Sequence, residues 1–487
     1  MIIEDAVYRE HNLEEFIGNP LIAALPHMIS PNEYPKNLIV LPPYKQSDRL
    51  KSPSDRLLAL KRLEQLHIPT VQDSMILMSI TRCLLWGYAS RNPLDFNVVK
   101  SILEEHGIPL TESNERYLKV INAPIYGFPV LGISGVGKTT SLQNVLTLFP
   151  QVIQHTEYHG VGFEHKQLVW LKVDCPGDGT PKGLCSAILR GIDDTLDTHY
   201  AQQILTNRMS KDVLLIKVSQ LVQSLYLGIL VIDDIQNLCS AKNDVSDELL
   251  SFMVSMANNL RIPVIQVGSP KVLTLLQKEF QVAKRASGEG EVRMDLMKKG
   301  SLEWDRFITT LWRYQYTEKE IELTDKLKEV FFDLSVGNPF IAATLYKIVQ
   351  DEAIISGREH FTDKDVKRIE KSQMGMTVKM RRDMLNGVDV ELNRYRALWE
   401  AAQVPPSPAA NAQKSTSRAK PEADPINLES EIANQLLGEI TLTLQEARAY
   451  ARRAIAANPS EDNISVLLGY AKNLHQKANE RASSAGK

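Results

Sequence analysis

Residues 132–139 read GISGVGKT, and this octapeptide satisfies every position of the phosphate-loop pattern GxxxxGK[ST]. Glycines let successive backbone N–H groups converge on phosphate oxygens, Lys138 reaches the β- and γ-phosphates, and the Thr139 hydroxyl ligates Mg²⁺. An apolar run precedes the loop and a helical pattern follows it, so the loop is expected to join a buried strand to the positive end of a helix. The pattern therefore predicts a site for ATP and Mg²⁺. The residues predicted to bind the nucleotide are Gly132, Ser134, Gly135, Val136, Gly137, Lys138, Thr139 and Thr140.

Length and composition point to a globular protein of several domains. The chain has 487 residues, of which 43% are hydrophobic, and this is enough for about two to four domains with real cores. Lysine and arginine number 56 against 59 acidic residues, so the chain lacks the basic excess with which some proteins bind nucleic acid through overall charge. Any contact with nucleic acid must therefore be local. Four cysteines without ligand spacing favour a reducing compartment, and no apolar run is long enough to span a membrane. A cytoplasmic protein is therefore predicted.

The middle of the chain alternates short apolar runs with helical patterns. This alternation is typical of a parallel sheet with crossover helices, and it predicts an α/β nucleotide-binding core over residues 123–300. The runs are apolar throughout, as expected for strands that helices cover on both faces. The predicted strands are 128–131, 168–174, 228–233 and 264–268.

Helical patterns dominate on both sides of this core. Residues 1–122 are predicted as an accessory domain for partner docking, with helices at 55–66 and 73–88. Residues 301–400 are predicted as a helical lid, with helices at 324–334, at 341–355 and after Thr362. A segment rich in Pro, Ala and Ser over 401–425 is typical of a flexible linker, and 426–487 is predicted as a helical tail.

A phosphate loop needs an acidic partner at the end of another strand to hold Mg²⁺. Residues 229–234 read ILVIDD and supply it, so Asp233 is predicted to share the metal with Thr139. Asp234 stands where hydrolytic triphosphatases usually have the glutamate that polarises the attacking water. Its side chain is one methylene shorter, which predicts slow hydrolysis. A residue that merely follows the strand and caps a helix is the alternative for Asp234.

Two further residues are candidates for the catalytic set. Ser269 ends the strand at 264–268 and either contacts the γ-phosphate or its water, or simply caps a turn before the next helix. Arg285 lies in a basic, glycine-containing loop and either reaches the γ-phosphate of a neighbouring subunit, or is an ordinary solvated cation. The predicted catalytic residues are therefore Lys138, Asp234, Ser269 and Arg285.

The order of these motifs resembles that of an AAA+ ATPase: phosphate loop, acidic strand end, Val-Gly-Ser-Pro, basic glycine loop and helical lid. More narrowly, the chain resembles the TnsC/TniB family, the ATP-dependent regulators of heteromeric bacterial transposons. The narrower resemblance covers roughly residues 8–370. It is carried by segments 18–26, 171–180, 232–236, 284–290 and 311–315.

This resemblance implies an α/β AAA+ fold and an ATPase that assembles as a homo-oligomeric ring or filament on double-stranded DNA. It implies that the protein connects a target-selection protein to transposase subunits, with ATP as the assembly switch. Whether an RNA-guided complex selects the target stays open. The residues implied to contact the DNA backbone are Thr180, Lys182 and Arg190. Two other functions also stay open: an ATPase related to helicase loaders and replication initiators, and a nucleotide-locked docking scaffold that binds no DNA.

Three histidines lie close together in the sequence before the second core strand. His155 and His159 have the i, i+4 spacing of a helical metal pair, and His165 follows shortly after. Gly160 and Gly162 interrupt the segment, and no cysteine or second acidic partner is spaced to complete a ligand shell. A loop or hairpin is therefore favoured over a metal site.

Overall fold

The computed structural model describes residues 3–108, 110–119, 126–205, 210–240, 251, 253, 262–270, 288–375, 449–450, 453–454 and 470–474. The chain divides into two compact units, Met1–Val404 and Pro405–Lys487. In the second unit the described residues are short helical stretches, and 470–474 fall within the predicted tail helix. The predicted linker lies outside the described residues. The division into five domains stays a prediction.

Eight strands are described in the first unit. They are β1 Ile3–Asp5, β2 Pro129–Gly132, β3 Val152–Tyr158, β4 Val161–Leu168, β5 Trp170–Asp174, β6 Ile229–Asp233, β7 Val264–Gly268 and β8 Val292–Met294.

Helices account for most of the remaining described residues. The α-helices are α1 Pro20–Ala23, α2 Tyr34–Leu38, α3 Pro53–Ala59, α4 Val71–Ala89, α5 Phe96–Glu105, α6 Glu112–Lys119, α7 Lys138–Leu146, α8 Pro181–Leu196, α9 Tyr200–Ile204, α10 Lys211–Ser224, α11 Leu302–Trp312, α12 Asp325–Ser335, α13 Pro339–Ile355 and α14 Asp363–Gln373. The 3₁₀ segments are Pro31–Glu33, Gln46–Leu50, Leu60–Gln65 and Ile235–Ser240.

A five-stranded parallel sheet in the order β5-β6-β7-β2-β8 forms the centre of the fold. Four predicted core strands are found as β2, β5, β6 and β7, but the strand predicted over 168–174 is divided, because Leu168 ends β4 and β5 begins at Trp170. The fifth, β8, was not predicted because three residues are too few to show a pattern. Since all five strands run parallel, the ends of β2, β5, β6 and β7 bring the predicted site residues to one edge of the sheet.

A second, smaller sheet has the order β1-β3-β4. Strands β3 and β4 form an antiparallel hairpin that contains all three histidines, so the expected hairpin is confirmed. His155 is fully buried in it, with Nδ1 3.0 Å from the Tyr8 hydroxyl and Nε2 2.9 Å from Gln167 Oε1. Within the described ranges, no group of three or more His, Cys, Asp or Glu residues could hold a metal ion.

Helices cover both faces of the large sheet. Helices α8 and α10 pack on one face through apolar residues such as Ile188 and Val218. Helices α1, α4 and α7 pack on the other face, with residues such as Leu21, Ile80 and Leu142. The amino-terminal segment therefore contributes directly to the core that supports the phosphate loop.

The helical region after β8 has a core of its own. It is built from α11 to α14 and includes Trp312, Phe331 and Tyr346. The sequence pattern predicted one helix over 55–66, but α3 ends at Ala59 and a 3₁₀ turn follows. In a 3₁₀ turn, residues three apart lie on the same side, so Leu60 and Leu63 both enter the core of this helical region.

The described part of the chain thus has the predicted α/β AAA+ fold: a five-stranded parallel sheet, flanking helices and a helical region toward the carboxyl end. Among the described helices, none combines the length and the apolar character needed to cross a bilayer.

Candidate nucleotide and metal site

The phosphate loop connects the end of β2 to the start of α7. Gly137 caps α7 at a φ of 99°, and Gly135 has a φ of 83°. Both values lie in the left-handed region that glycine adopts without steric cost, so the loop geometry requires these two glycines. At any helix start the N–H groups of the first turn have no partner within the helix, and here they lie at the loop, which is an arrangement that binds anions. Val136 differs from its neighbours because its side chain is buried in the core, so only its backbone is suited to contact a nucleotide.

Thr139 and Asp233, the two predicted metal ligands, are brought together. The Thr139 hydroxyl donates to Asp233 Oδ2 at 3.1 Å, and Asp233 Oδ1 accepts from the Asp234 amide at 2.9 Å. A hydroxyl and a buried carboxylate side by side are the oxygen ligands that Mg²⁺ takes at phosphate sites. The residues present therefore fit a magnesium ion bound together with a nucleotide.

Lys138 lies at the base of this site. Its ammonium donates to the Ile133 carbonyl at 3.0 Å, so the side chain curls back over the loop. Burial lowers the pKa of Lys138, while the nearby charges of Asp233 and Asp234 oppose that change. An anion bound in the loop would offset the same desolvation.

Asp234 and Ser269, two of the predicted catalytic residues, are linked through a side chain that the sequence did not single out. Gln236 donates from Nε2 to Asp234 Oδ1 at 2.7 Å, and its Oε1 accepts from the Ser269 amide at 3.1 Å. Asp234 has a left-handed φ of 52°, which is uncommon outside glycine. Within the described part of the chain, the Ser269 hydroxyl is buried without a hydrogen-bond partner. The Asp234 carboxylate is exposed, and the Ser269 hydroxyl is free to form a further hydrogen bond.

Asn338, in the helical region, contacts the phosphate loop. Its Nδ2 donates to the Ser134 carbonyl at 3.0 Å, and its Oδ1 caps α13 by accepting from Ile341 N at 3.2 Å. A Cβ atom added at Gly135 would lie only 2.8 Å from Asn338 Oδ1, so the two segments pack closely. The sequence Asn338-Pro339 is typical of a helix start, but nothing in it indicates a contact with residues 204 positions away.

A cavity of about 560 Å³ opens between the phosphate loop and the helical region. This volume is within the range of small-molecule sites. Its wall includes Thr140 and Ser141 of α7, Phe340 and Lys347 of α13, and the amino-terminal pair His67 and Asp73. The cavity is large enough for the base and sugar of a nucleotide whose phosphates lie in the loop.

The pair His67 and Asp73 is a buried polar contact in the cavity wall. His67 Nε2 lies 2.8 Å from Asp73 Oδ1, and Thr70 donates to the other carboxylate oxygen from both its backbone and its hydroxyl. Burial alone would raise the pKa of Asp73, but the contacts with His67 and Thr70 outweigh it and leave that pKa below its usual value. The sequence reasoning missed this pair because it lies far from every motif.

The remaining predicted site residues lie elsewhere. Thr180 caps α8 through its hydroxyl, which accepts from the Gly183 amide at 3.0 Å and donates to Asp178 at 3.0 Å. Lys182 and Arg190 are exposed on the side of α8 that faces away from the sheet. Arg285 lies outside the described residues.

The fold and the site together define a P-loop ATPase with an α/β AAA+ fold. More particularly, residues 129–276 match the AAA domain family. No curated protein sequence matches the chain.

Several solved structures are similar to this chain at low identity. Cdc6p from Pyrobaculum aerophilum has 18% identity and a TM-score of 0.35, over 50% of this chain and 60% of that one. The Orc1 protein of Aeropyrum pernix, solved in complex with DNA, has 12% identity and a TM-score of 0.35, over 72% and 78%. A Walker-type ATPase of Pyrococcus abyssi has 18% identity and a TM-score of 0.35, over 61% and 86%. The chain thus spans about three fifths of the length of the Pyrobaculum protein.

Proposed function

We propose that this protein is an ATP-dependent regulator of DNA transposition of the TnsC/TniB type. In this proposal it forms a homo-oligomer on target duplex DNA and connects a target-selection protein to the transposase. The sequence resemblance in segments 18–26, 171–180, 232–236, 284–290 and 311–315 supports the proposal. The AAA domain supplies the ATPase on which it depends.

The observation that carries the proposal is the short path from the metal carboxylate to α8. Asp174 pairs in register with Asp233 at the ends of β5 and β6, and the Cys175 amide donates to the Asp233 carbonyl at 2.8 Å. Asn237, just after β6, donates to the Cys175 carbonyl at 3.0 Å. The chain then reaches the start of α8 within a few residues. A change at the metal site can therefore move the segment that precedes Lys182.

Lys182 and Arg190 are proposed to contact the DNA backbone. Both are exposed, and their spacing with Ser186 places them on one stripe of α8. Contacts from such cations go to phosphates, so binding should be sensitive to salt and nearly indifferent to sequence. Thr180 is proposed to act indirectly, because its hydroxyl is already engaged in capping the helix.

In the ATPase reaction, the loop amides and Lys138 bind the phosphates, and Thr139 and Asp233 hold Mg²⁺. The metal, when bound, neutralises charge on the phosphate oxygens. Asp234 orients the attacking water, Ser269 contacts the γ-phosphate, and Arg285 reaches the γ-phosphate of a neighbouring subunit. Hydrolysis is expected to be slow, since Asp234 is shorter than the usual glutamate, and ATP acts mainly as a switch for assembly.

Electron microscopy of the purified protein with arbitrary duplex DNA tests this proposal. Rings or filaments are expected with a slowly hydrolysed ATP analogue. They should disappear in Lys138→Ala, and in a Lys182→Glu, Arg190→Glu double variant that still binds nucleotide. The matched control is Lys364→Glu with Lys371→Glu, which reverses two exposed charges on α14. The control should assemble normally.

Other outcomes separate the alternatives. Assembly on DNA combined with pull-down of a replicative helicase, and with no transposase binding, would favour a loader or initiator. Nucleotide binding without any assembly on DNA would contradict the regulator proposal and favour a docking scaffold.

A further inference from the structure

Lys172 lies inside the predicted metal site. It is on β5, and its ammonium is 3.0 Å from Asp233 Oδ2. That oxygen also accepts the hydrogen bond from Thr139. The Lys172 side chain is only 20% exposed, so solvent screens this ion pair weakly.

The position of Lys172 conflicts with a second cation on the same oxygen. A magnesium ion held by Thr139 and Asp233 would lie beside the ammonium, and like charges at such a separation repel strongly in a partly buried site. Asp233 Oδ2 already contacts both the Thr139 hydroxyl and the Lys172 ammonium, and Oδ1 accepts from the Asp234 amide, so the carboxylate has little capacity left for a second cation beside the ammonium. Metal binding at Asp233 is therefore expected to displace the Lys172 ammonium.

Asp174 provides a second carboxylate with which the displaced Lys172 ammonium can pair. Asp174 Oδ1 is 3.7 Å from the Lys172 ammonium, and the Asp174 side chain is 76% exposed. Both residues are on β5, so the ammonium can pass from Asp233 to Asp174 by side-chain rotation alone. No strand has to shift.

We propose that the Lys172 ammonium competes with Mg²⁺ for the Asp233 carboxylate, and that this ammonium pairs with Asp174 instead when the metal binds. This competition sets the Mg²⁺ concentration that the protein needs in order to bind nucleotide. This inference rests on the proposed nucleotide and magnesium site.

The test measures the magnesium dependence of nucleotide binding and does not require hydrolysis. The probes are a fluorescent ADP derivative and the corresponding slowly hydrolysed ATP derivative, titrated with Mg²⁺. Lys172→Met removes the charge and keeps the apolar stem. It should lower the half-saturating Mg²⁺ concentration roughly tenfold for both nucleotides, because the competitor is gone. Asp174→Asn removes the alternative partner and should raise that concentration about threefold.

Lys364→Met is the matched control, since it removes an exposed lysine of α14 outside the nucleotide site and outside the proposed DNA surface. It should leave the half-saturating concentration unchanged. Lys172→Gln serves as a second neutral variant, and thermal melting in EDTA checks that each protein is folded. The neutral variants should melt below the wild type in EDTA, because the buried Asp233 carboxylate has lost its positively charged partner.

Two results would overturn the inference. One is an unchanged magnesium requirement in folded Lys172→Met and Lys172→Gln. The other is weaker binding of the ATP derivative alone, which would make Lys172 a γ-phosphate ligand. If wild-type protein binds neither nucleotide, or binds them without any response to Mg²⁺, the proposed site itself is contradicted and the inference fails with it.

Discussion

Arg56 and Glu359 form a buried two-pronged ion pair across 303 positions of sequence. Arg56 Nη1 and Nη2 donate to the two carboxylate oxygens at 2.7 and 2.8 Å, and the Arg56 side chain has no exposed surface. Arg56 also donates to the Tyr316 carbonyl at 2.9 Å. The pair links α3 to the helical region, and the 3₁₀ turn that follows α3 contributes Leu63 and Glu64 to the wall of the cavity beside the phosphate loop.

Loss of the Glu359 charge should destabilise the protein strongly. Glu359→Gln removes the two-pronged counter-charge of the buried Arg56 guanidinium and leaves it only the half-exposed Glu318 carboxylate at 3.5 Å. Breaking a buried pair costs about 3–5 kcal/mol of unfolding free energy, and the remaining partner places this one toward the lower end. Urea denaturation measures the change. Glu329→Gln is the control, because its partner Lys299 is on the surface and the pair is largely solvated. Equal effects of the two substitutions would contradict the structural role of Arg56.

The ion pair of Arg56 and Glu359 should make the free energy of unfolding depend on pH in the acid range. The hydrogen bond from Arg56 holds the pKa of Glu359 below its usual value, although burial opposes this. A depressed carboxyl pKa contributes stability above the unfolded-state pKa of about 4.3, and the contribution is lost as pH falls through the folded-state pKa. The stability difference between wild type and Glu359→Gln should therefore shrink as the pH is lowered below about 4.3. A constant difference across an acid titration would show that the charge is not responsible.

Asn338 should couple the helical region to the nucleotide. Asn338→Ala removes both the cap of α13 and the hydrogen bond to the Ser134 carbonyl. Asn338→Asp keeps the cap and places a carboxylate against that carbonyl. Both variants should weaken nucleotide binding about tenfold, since the loop loses a fully buried partner. Fluorescent nucleotide titration measures this.

Thr324→Ala is a control that separates the two roles of Asn338, which are to cap a helix and to contact the phosphate loop. Thr324 caps α12 through Leu327 N, and no contact of its side chain with the phosphate loop is present in the described structure. This control should lose about 1 kcal/mol of stability, as a lost cap does, and bind nucleotide normally. Weaker binding in Thr324→Ala would mean that helix stability alone controls the site.

The sequence predicted those parts of the fold that depend on local pattern. Four core strands were visible as apolar runs, and the hydroxyls of Thr324 and Thr362 correctly marked the starts of α12 and α14. The phosphate loop was recognisable because its chemistry restricts every position. Strands β1 and β8 were missed because each has three residues and is defined by its partner strand.

The contacts that complete the site could not be predicted in the same way. Lys172, Gln236 and Asn338 reach the site from three separate segments, and each uses a side chain that is ordinary at its own position. Their roles follow from how strands and helices are placed in space, which no local pattern encodes. The fold class and the motif residues were therefore accessible from the sequence, whereas these partners required the structure.

Gln236 should control the rate of hydrolysis and leave nucleotide affinity unchanged. Its side-chain amide holds the Asp234 carboxylate and the Ser269 amide together, so it positions the two groups expected to face the γ-phosphate. Gln236→Ala should lower kcat about tenfold with an unchanged KM, because alignment is lost and binding is not. Gln236→Glu should lower kcat further, since a second carboxylate repels Asp234. Gln236→Asn should restore part of the rate, and the exposed Gln203→Ala on α9 should behave like wild type. Steady-state ATPase assays measure these effects, and a rise in KM with constant kcat would instead place Gln236 in nucleotide binding.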